Sequence, residues 1–426
     1  LHALSGMDDG MRRDGMGAGG SMPGRGPGDV MRAGGLAVAL AAYGLFGAPA
    51  PPGIGLAEVA VAGGLACALG VIRPICVGSG LMLIAPSARL HEVVGTAAFL
   101  YLLWVPLLGA AFAGAAPGDI VRDIVPLGFL FLPVLLAPAG PLAGRLLPIG
   151  LAGVGLLFAL RWWWPAVDIG SVGRTVMAEG DLYLLNSPAV LFTAVWLPLE
   201  GAARLFRPPG RGSAVLAVAG AALSVAAGAV AAAALAGAVH RAAVLIAAAT
   251  VACRILVLGR RVPLVLAAAA LAAGGVAAML HDTILGTAAQ IAWKTETYGL
   301  NERASEAAIV AGHIGSSFAS LVFGAGWGAL VRNPAVGEMW VSYTHSFATY
   351  MLLKTGIAGA LAVLAYLLSL LPPLVALMRR EPTLAFGLLP SLAIGLFAHT
   401  SFKYLCFGLI LSIVTTRTAH YRDTRA

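Results

Sequence analysis

Residues 346–371 read SFATYMLLKTGIAGALAVLAYLLSLL, an apolar run in which Lys354 is the one charged residue. A run of this length is too long for a buried strand and matches the roughly 17–25 residues that cross a bilayer as a helix. Its Ala and Leu content is continuous rather than alternating, which argues against a β-barrel. Just upstream stand a glycine turn, Phe323-Gly324-Ala325-Gly326-Trp327-Gly328, a polar loop, and His345 at the mouth of the run. A histidine in that place, beside a glycine-rich turn, points to chemistry at a membrane surface rather than to simple packing.

Comparable runs recur along the chain. It has 426 residues, of which 59% are hydrophobic and 11% charged, against about 25% charged in soluble domains. The fold class expected is all-α: a polytopic transmembrane protein with about 12 spans, at 34–50, 54–72, 93–114, 124–140, 145–163, 188–206, 213–236, 241–258, 262–280, 346–371, 384–399 and 403–417. Residues 74–90 are interrupted by Pro74, Pro86 and Arg89 and read as a cytoplasmic or re-entrant piece. The domain organisation expected is a disordered cytoplasmic tail (1–33), one membrane domain (34–418) and a short cytoplasmic tail (419–426).

The formal net charge is +8, and its distribution suggests orientation rather than nucleic-acid binding. Under this topology most of the 27 Lys and Arg residues lie on one side, among them Arg12, Arg13, Arg207, Arg211, Arg260, Arg261, Arg379, Arg380, Arg422 and Arg425. That bias places both termini in the cytoplasm. The first 33 residues lack an apolar h-region and read as a tail, not a cleaved signal peptide. Cys67, Cys76, Cys253 and Cys406 lie singly in apolar context, as small core residues do, and offer neither a disulfide framework nor a zinc site.

Two loops then face outside. One, 164–187, carries Arg174. The other, 281–345, is the longest polar interval and carries Lys294, Glu296, Glu302, Arg303, Glu306, His313, Arg332, Glu338 and His345. Loops of that length are usually functional or disordered. Helical patterning over Glu302–Phe318 predicts an ordered loop, with a short helix along the membrane surface.

The chain resembles the O-antigen ligase and O-antigen polymerase family of bacterial envelope glycosyltransferases. That family typically shows a turn of the form F-G-x-G-x-G ahead of the motif histidine, similar to Phe323–Gly328. It shows His-Asn opening an apolar helix, with glycines at offsets that His345, Gly356 and Gly359 match. It shows an arginine in an earlier outer loop before an Asn-Pro helix start, as Arg174 precedes Asn186-Ser187-Pro188, and an arginine in the large outer loop where Arg303 stands. Three positions depart: Ser346 replaces the usual Asn, Lys354 stands where an acidic residue is commoner, and Asn186-Ser187-Pro188 carries one inserted residue.

The resemblance implies transfer of an oligosaccharide or polysaccharide from an undecaprenyl-diphosphate-linked donor to a sugar or lipid-linked acceptor. The place is the outer face of the bacterial cytoplasmic membrane, with membrane lipids as surroundings and no nucleic acid. His345 is implied as base or acceptor-orienting group, and Arg303 and Arg174 as ligands of the diphosphate, since arginine offers a permanent charge and a bidentate fork. Lys354 and Arg122 are further candidate contacts to the substrate. No cofactor and no metal are implied. Each residue also has a plainer reading. An interfacial arginine snorkels, His345 can be a helix-boundary residue, Arg122-Asp123 a local ion pair, and Lys354 can snorkel outward rather than face a polar cavity, the reading favoured here. His313, Glu338, His399 and Lys403 read as structural or rim residues, and Trp162-Trp163-Trp164 as an interfacial belt. A polytopic transporter or lipid-linked sugar flippase is the alternative, although no internal repeat is evident.

Overall fold

The computed structural model describes residues 27–49, 55–86, 88–136, 141–163, 182–205, 214–259, 281–298, 303–333, 339–398 and 400–423. The first half contains α1 (Pro27–Leu45), α2 (Leu56–Leu69), α3 (Ile72–Gly78), α4 (Leu90–Ala113), α5 (Pro117–Leu130), α6 (Leu132–Leu136), α7 (Pro141–Trp163) and α8 (Leu182–Leu185). Then come α9 (Pro188–Leu205), α10 (Ala214–Gly237), α11 (Arg241–Gly259), α12 (His281–Tyr298), α13 (Arg303–Ile314) and α14 (Phe318–Phe323). A two-stranded antiparallel ribbon, β1 (Val331–Asn333) and β2 (Met339–Val341), precedes α15 (Phe347–Ser369), α16 (Leu371–Arg380), α17 (Pro382–Phe397) and α18 (Leu405–Asp423). The protein is mostly helical with little sheet.

Among the described residues, four helical segments are long and apolar enough to cross a membrane: Leu90–Ala113, Leu142–Trp163, Val215–Gly237 and Phe347–Arg380. The bent pair α2–α3, turned by 87°, makes a fifth if it is one span. The other segments read as spans from sequence are shorter, divided or charged. α5 and α6 part at Phe131, α11 carries Arg241 and Arg254, and 262–280 lies outside the described residues. α1 starts at Pro27, inside the stretch expected to be a disordered tail. Proline fits a first helical turn, where its missing N–H has no partner to lose, and Asp29 there complements the helix dipole.

α18 is the central post. In its first half Leu405, Cys406, Phe407, Leu409, Ile410 and Ile413 are all essentially inaccessible, and a helical stretch apolar on every side belongs in an interior. α10 is the opposite case: Val215, Leu216 and Leu223 lie on an open surface, as lipid-facing residues do. Of the cysteines only Cys406 is buried, while Cys67 and Cys253 are exposed. Trp162 is buried and packs on Gly237 rather than standing in a belt, and Trp164 lies outside the described residues.

The glycine turn is built into this bundle. Proline at 106 has no N–H, so the Leu102 carbonyl in α4 loses its helical partner. The Trp327 indole Nε1 donates to that carbonyl at 2.8 Å, and the Trp327 backbone N–H donates to the Pro106 carbonyl at 3.1 Å. α15 is broken at Gly356, where φ is +63°. The break frees the Leu353 and Lys354 carbonyls, which accept from the N–H groups of Ala325 (2.8 Å) and Gly326 (3.0 Å). Thus a non-helical segment lies among helices with its backbone groups satisfied, the condition for irregular chain within an apolar layer.

Gly356 and Gly324 lie against one another, and each has positive φ. A Cβ on Gly356 would collide with the Val322 carbonyl oxygen, and one on Gly324 would meet the Gly356 nitrogen at 2.5 Å. An L residue in the left-handed region costs about 1–2 kcal/mol before any clash. Gly356→Ala and Gly324→Ala are therefore expected to destabilise the protein by more than about 2 kcal/mol. Gly153→Ala, on an open face of α7, is expected to leave the melting temperature unchanged or raised. Thermal unfolding of the three detergent-solubilised variants checks this.

Candidate functional site

α13 supplies the first part of the site. Arg303 opens the helix and Glu306 lies one turn on, with its side chain 2% exposed. Glu306 is fully engaged. It accepts the His345 backbone N–H at 2.9 and 3.0 Å, the Asn333 side-chain amide at 2.8 Å, and a looser contact from His345 Nδ1 at 3.4 Å. Burial alone would push its carboxyl up, but the hydrogen bonds and charge of His345, with the Asn333 bond, outweigh burial and hold it below the usual carboxylate range. His345 is a quarter exposed, and its ring stands 6.0 Å from that of Tyr343. With Nδ1 turned to the carboxylate, the fitting tautomer carries its proton there and leaves Nε2 as an acceptor.

Ser346 caps α15, its Oγ accepting the Thr349 N–H at 3.2 Å. Asparagine and serine are both strong N-caps, so the departure from His-Asn preserves the capping role. Arg303 Nη2 donates to the Ala398 carbonyl at 2.6 Å, at the C-terminus of α17, where a cation is favoured by the helix dipole. Its Nε is buried without a hydrogen-bond partner among the described residues.

The second part lies deeper along α15. Lys354 does not face an open cavity, and it does not snorkel. Its Nζ meets Asp123 Oδ2 at 2.6 Å with neither side chain exposed, and also donates to the Ala329 carbonyl at 2.5 Å. Asp123 accepts from Tyr350 Oη at 2.9 Å and from the Gly328 N–H at 2.8 Å. A charge inside an apolar segment costs roughly 2.5–3.5 kcal/mol on insertion scales, and here each charge answers the other. Arg122, exposed, pairs with Asp119 one turn before it on α5 and not with its neighbour Asp123.

The structure thus brings His345 and Arg303 to one short helix, and joins Lys354 to the segment containing Arg122. Arg174 lies outside the described residues. Asn186, of the Asn186-Ser187-Pro188 stretch, meets His240 Nε2 at 2.7 Å. Glu306 and Asp123 carry more of the geometry than their place in the sequence reading suggests. The available signal was the lone lysine of the 346–371 run, while Asp123, beside Asp119 and Arg122, read as part of a local charge cluster. Lys403, set aside above as a rim residue, places its ammonium 3.8 Å from the Tyr350 ring centre. Among the described residues no group of three His, Cys, Asp or Glu is placed to hold a metal ion. No protein-family model, no characterised protein and no solved structure matches the chain.

Two outcomes are expected. Asp123→Leu or Lys354→Met alone, which leaves one buried charge unpaired, should cost about 3–5 kcal/mol, whereas the double variant should recover most of that. A double-mutant cycle in detergent reads the coupling. For Glu306, the depressed folded pKa gives a stabilising contribution that is complete above the unfolded value of about 4.3 and is lost as pH falls through the folded value beneath it. Glu306→Gln should therefore flatten the acid limb of a plot of melting temperature against pH between pH 6 and pH 3.

Proposed function

We propose that the chain is a multi-pass membrane glycosyltransferase of the O-antigen ligase or polymerase kind. It moves a glycan from an undecaprenyl-diphosphate-linked donor to a sugar or lipid-linked acceptor. In this reading it crosses the bacterial cytoplasmic membrane twelve times, with both termini inside and residues 281–345 outside. The observation that carries the reading is the His345–Glu306 contact, with Arg303 one helical turn away, at the mouth of the broken helix α15. A buried carboxylate that fixes an imidazole, whose other nitrogen is left to accept, is the arrangement of a general base.

The reaction needs little more. The acceptor hydroxyl oxygen attacks the anomeric carbon of the donor sugar, and the bond from that carbon to the phosphate oxygen breaks. The hydroxyl proton passes to His345 Nε2, and the electron pair leaves with the polyprenyl diphosphate. Arg303 in this reading supplies the fixed positive charge that stabilises the departing diphosphate, an electrostatic contribution that is commonly the largest in such reactions. Arg174 and Arg122 are candidates for the same charge.

A second reading has one specific observation behind it. A fully buried Lys354–Asp123 pair beside a broken helix is also the furniture of a transporter or lipid flippase. The two readings separate in a purified system. With donor lipid and acceptor in detergent, transfer is expected for the wild type. His345→Ala should slow it by about 10²–10⁴-fold while donor binding persists. Transfer by His345→Ala at the wild-type rate removes the base assignment. Absence of transfer by the wild type, together with movement of lipid-linked sugar across vesicles containing it, establishes the second reading.

A further inference from the structure

The cluster around Asp123 holds more positive charge than its carboxylates balance. Three cations face it: Arg122, Lys354 and Lys403. Asp119 answers Arg122 and Asp123 answers Lys354. Asp123 already holds Lys354, Tyr350 Oη and the Gly328 N–H, and Lys403 forms no ion pair with it. Lys403 is left with the π-face of Tyr350. Among the described residues no carboxylate forms an ion pair with it: Asp123 attracts it only at longer range, and the charges of Lys354 and Arg122 oppose its own.

Lys403 is also well placed. It ends the short turn Thr400–Lys403 between α17 and α18. Phe402 of that turn packs against Phe347 and Tyr350 of α15, at ring separations of 4.8 and 5.3 Å. Arg303 donates to the carbonyl of Ala398, two residues before that turn. The turn therefore stands at the same end of α15 as His345. Lys403 itself is partly open to its surroundings, unlike the sealed Lys354. A cation–π contact offsets only part of the cost of desolvating an ammonium. An incoming anion would offset the rest.

We propose that Lys403 is an anion-binding group that takes a phosphate-class headgroup at this end of the bundle, with exposed Arg122 as the neighbouring charge. Identifying that headgroup with the donor's diphosphate rests on the transferase reading. The anion site itself does not. Asp123 and Lys354 form the neutral floor of the site, and the Tyr350 ring fixes the direction of the ammonium.

The test uses the full-length protein in detergent, with undecaprenyl diphosphate, phosphatidylglycerol and uncharged undecaprenol as probes, and binding read by native mass spectrometry. Lys403→Met is expected to weaken the phosphate-bearing probe by about tenfold or more, the effect of losing one charge-assisted hydrogen bond, and to leave undecaprenol unchanged. Lys403→Arg should retain most of the binding. The melting temperature of Lys403→Met should not fall, because no carboxylate is left without its partner. Equal weakening of undecaprenol, or a lower melting temperature with phosphate binding intact, would show that Lys403 is structural and overturn the proposal. Wild-type binding by Lys403→Met overturns it outright. If phosphatidylglycerol binds through Lys403 and undecaprenyl diphosphate does not, the anion site stands and the transferase reading fails.

Discussion

Lys354 and Asp123 meet in the interior of an apolar bundle, and the local architecture is arranged so that they can. The two charges come from distant parts of the chain, α15 and α5, so the pair fixes the relative position of the two helices. Neither charge is satisfied by the pair alone. Asp123 needs Tyr350 and the Gly328 N–H, and Lys354 needs the Ala329 carbonyl. Two of these three partners belong to the glycine turn or the residue following it. A buried ion pair is seldom a net source of stability, but one deprived of a partner is strongly destabilising. Its effect here is to make every alternative packing of the turn costly.

That constraint accounts for the glycines. Gly356 lies just beyond Lys354, and its left-handed backbone interrupts α15 at the depth where the turn enters. Without the break, the Leu353 and Lys354 carbonyls would be spent inside the helix, and the turn would bury unpaired N–H groups. With it, those carbonyls accept from Ala325 and Gly326. Pro106 in α4 acts in the same way on the opposite wall, releasing the Leu102 carbonyl for Trp327. Each helix irregularity supplies an acceptor, and the inserted turn supplies the donors.

How much of this is legible in the sequence differs by element. Helical class follows from composition, and the membrane-crossing length of 93–114, 145–163, 213–236 and 346–371 follows from uninterrupted apolar runs, because bilayer thickness sets one length scale. The start of α13 near Arg303 is also legible from its polar-apolar pattern. The Lys354–Asp123 pair is not, because pairing two charges 231 positions apart in the chain requires the tertiary fold. The packing role of Phe323–Gly328 is not legible for a related reason. Glycines mark close approach of backbone, and sequence alone does not say whether the neighbour is a ligand or another helix. Ser346 was legible as a helix start, though not as the residue that keeps the capping role of the asparagine usual there. The small ribbon β1–β2 is too short for an alternating pattern to reveal.

The buried pair and the histidine belong to one circuit of contacts. From Lys354 the chain of bonds passes to the Ala329 carbonyl, and the backbone then runs two residues to β1. Asn333, the last residue of β1, reaches Glu306, and Glu306 holds the His345 backbone and ring. His345 precedes the cap of α15, which returns down the helix to Lys354. A small apolar cluster of Val310, Val331 and Leu353 joins α13, β1 and α15 within this circuit. Because the circuit is closed, a displacement at any link strains the others rather than dissipating in a free loop. The imidazole is therefore held directly by Glu306 and connected, through β1 and α15, to the interior ion pair. The role proposed above for His345 would call for such support, since a group acting beside lipid finds no hydrogen bonds there to hold it in place.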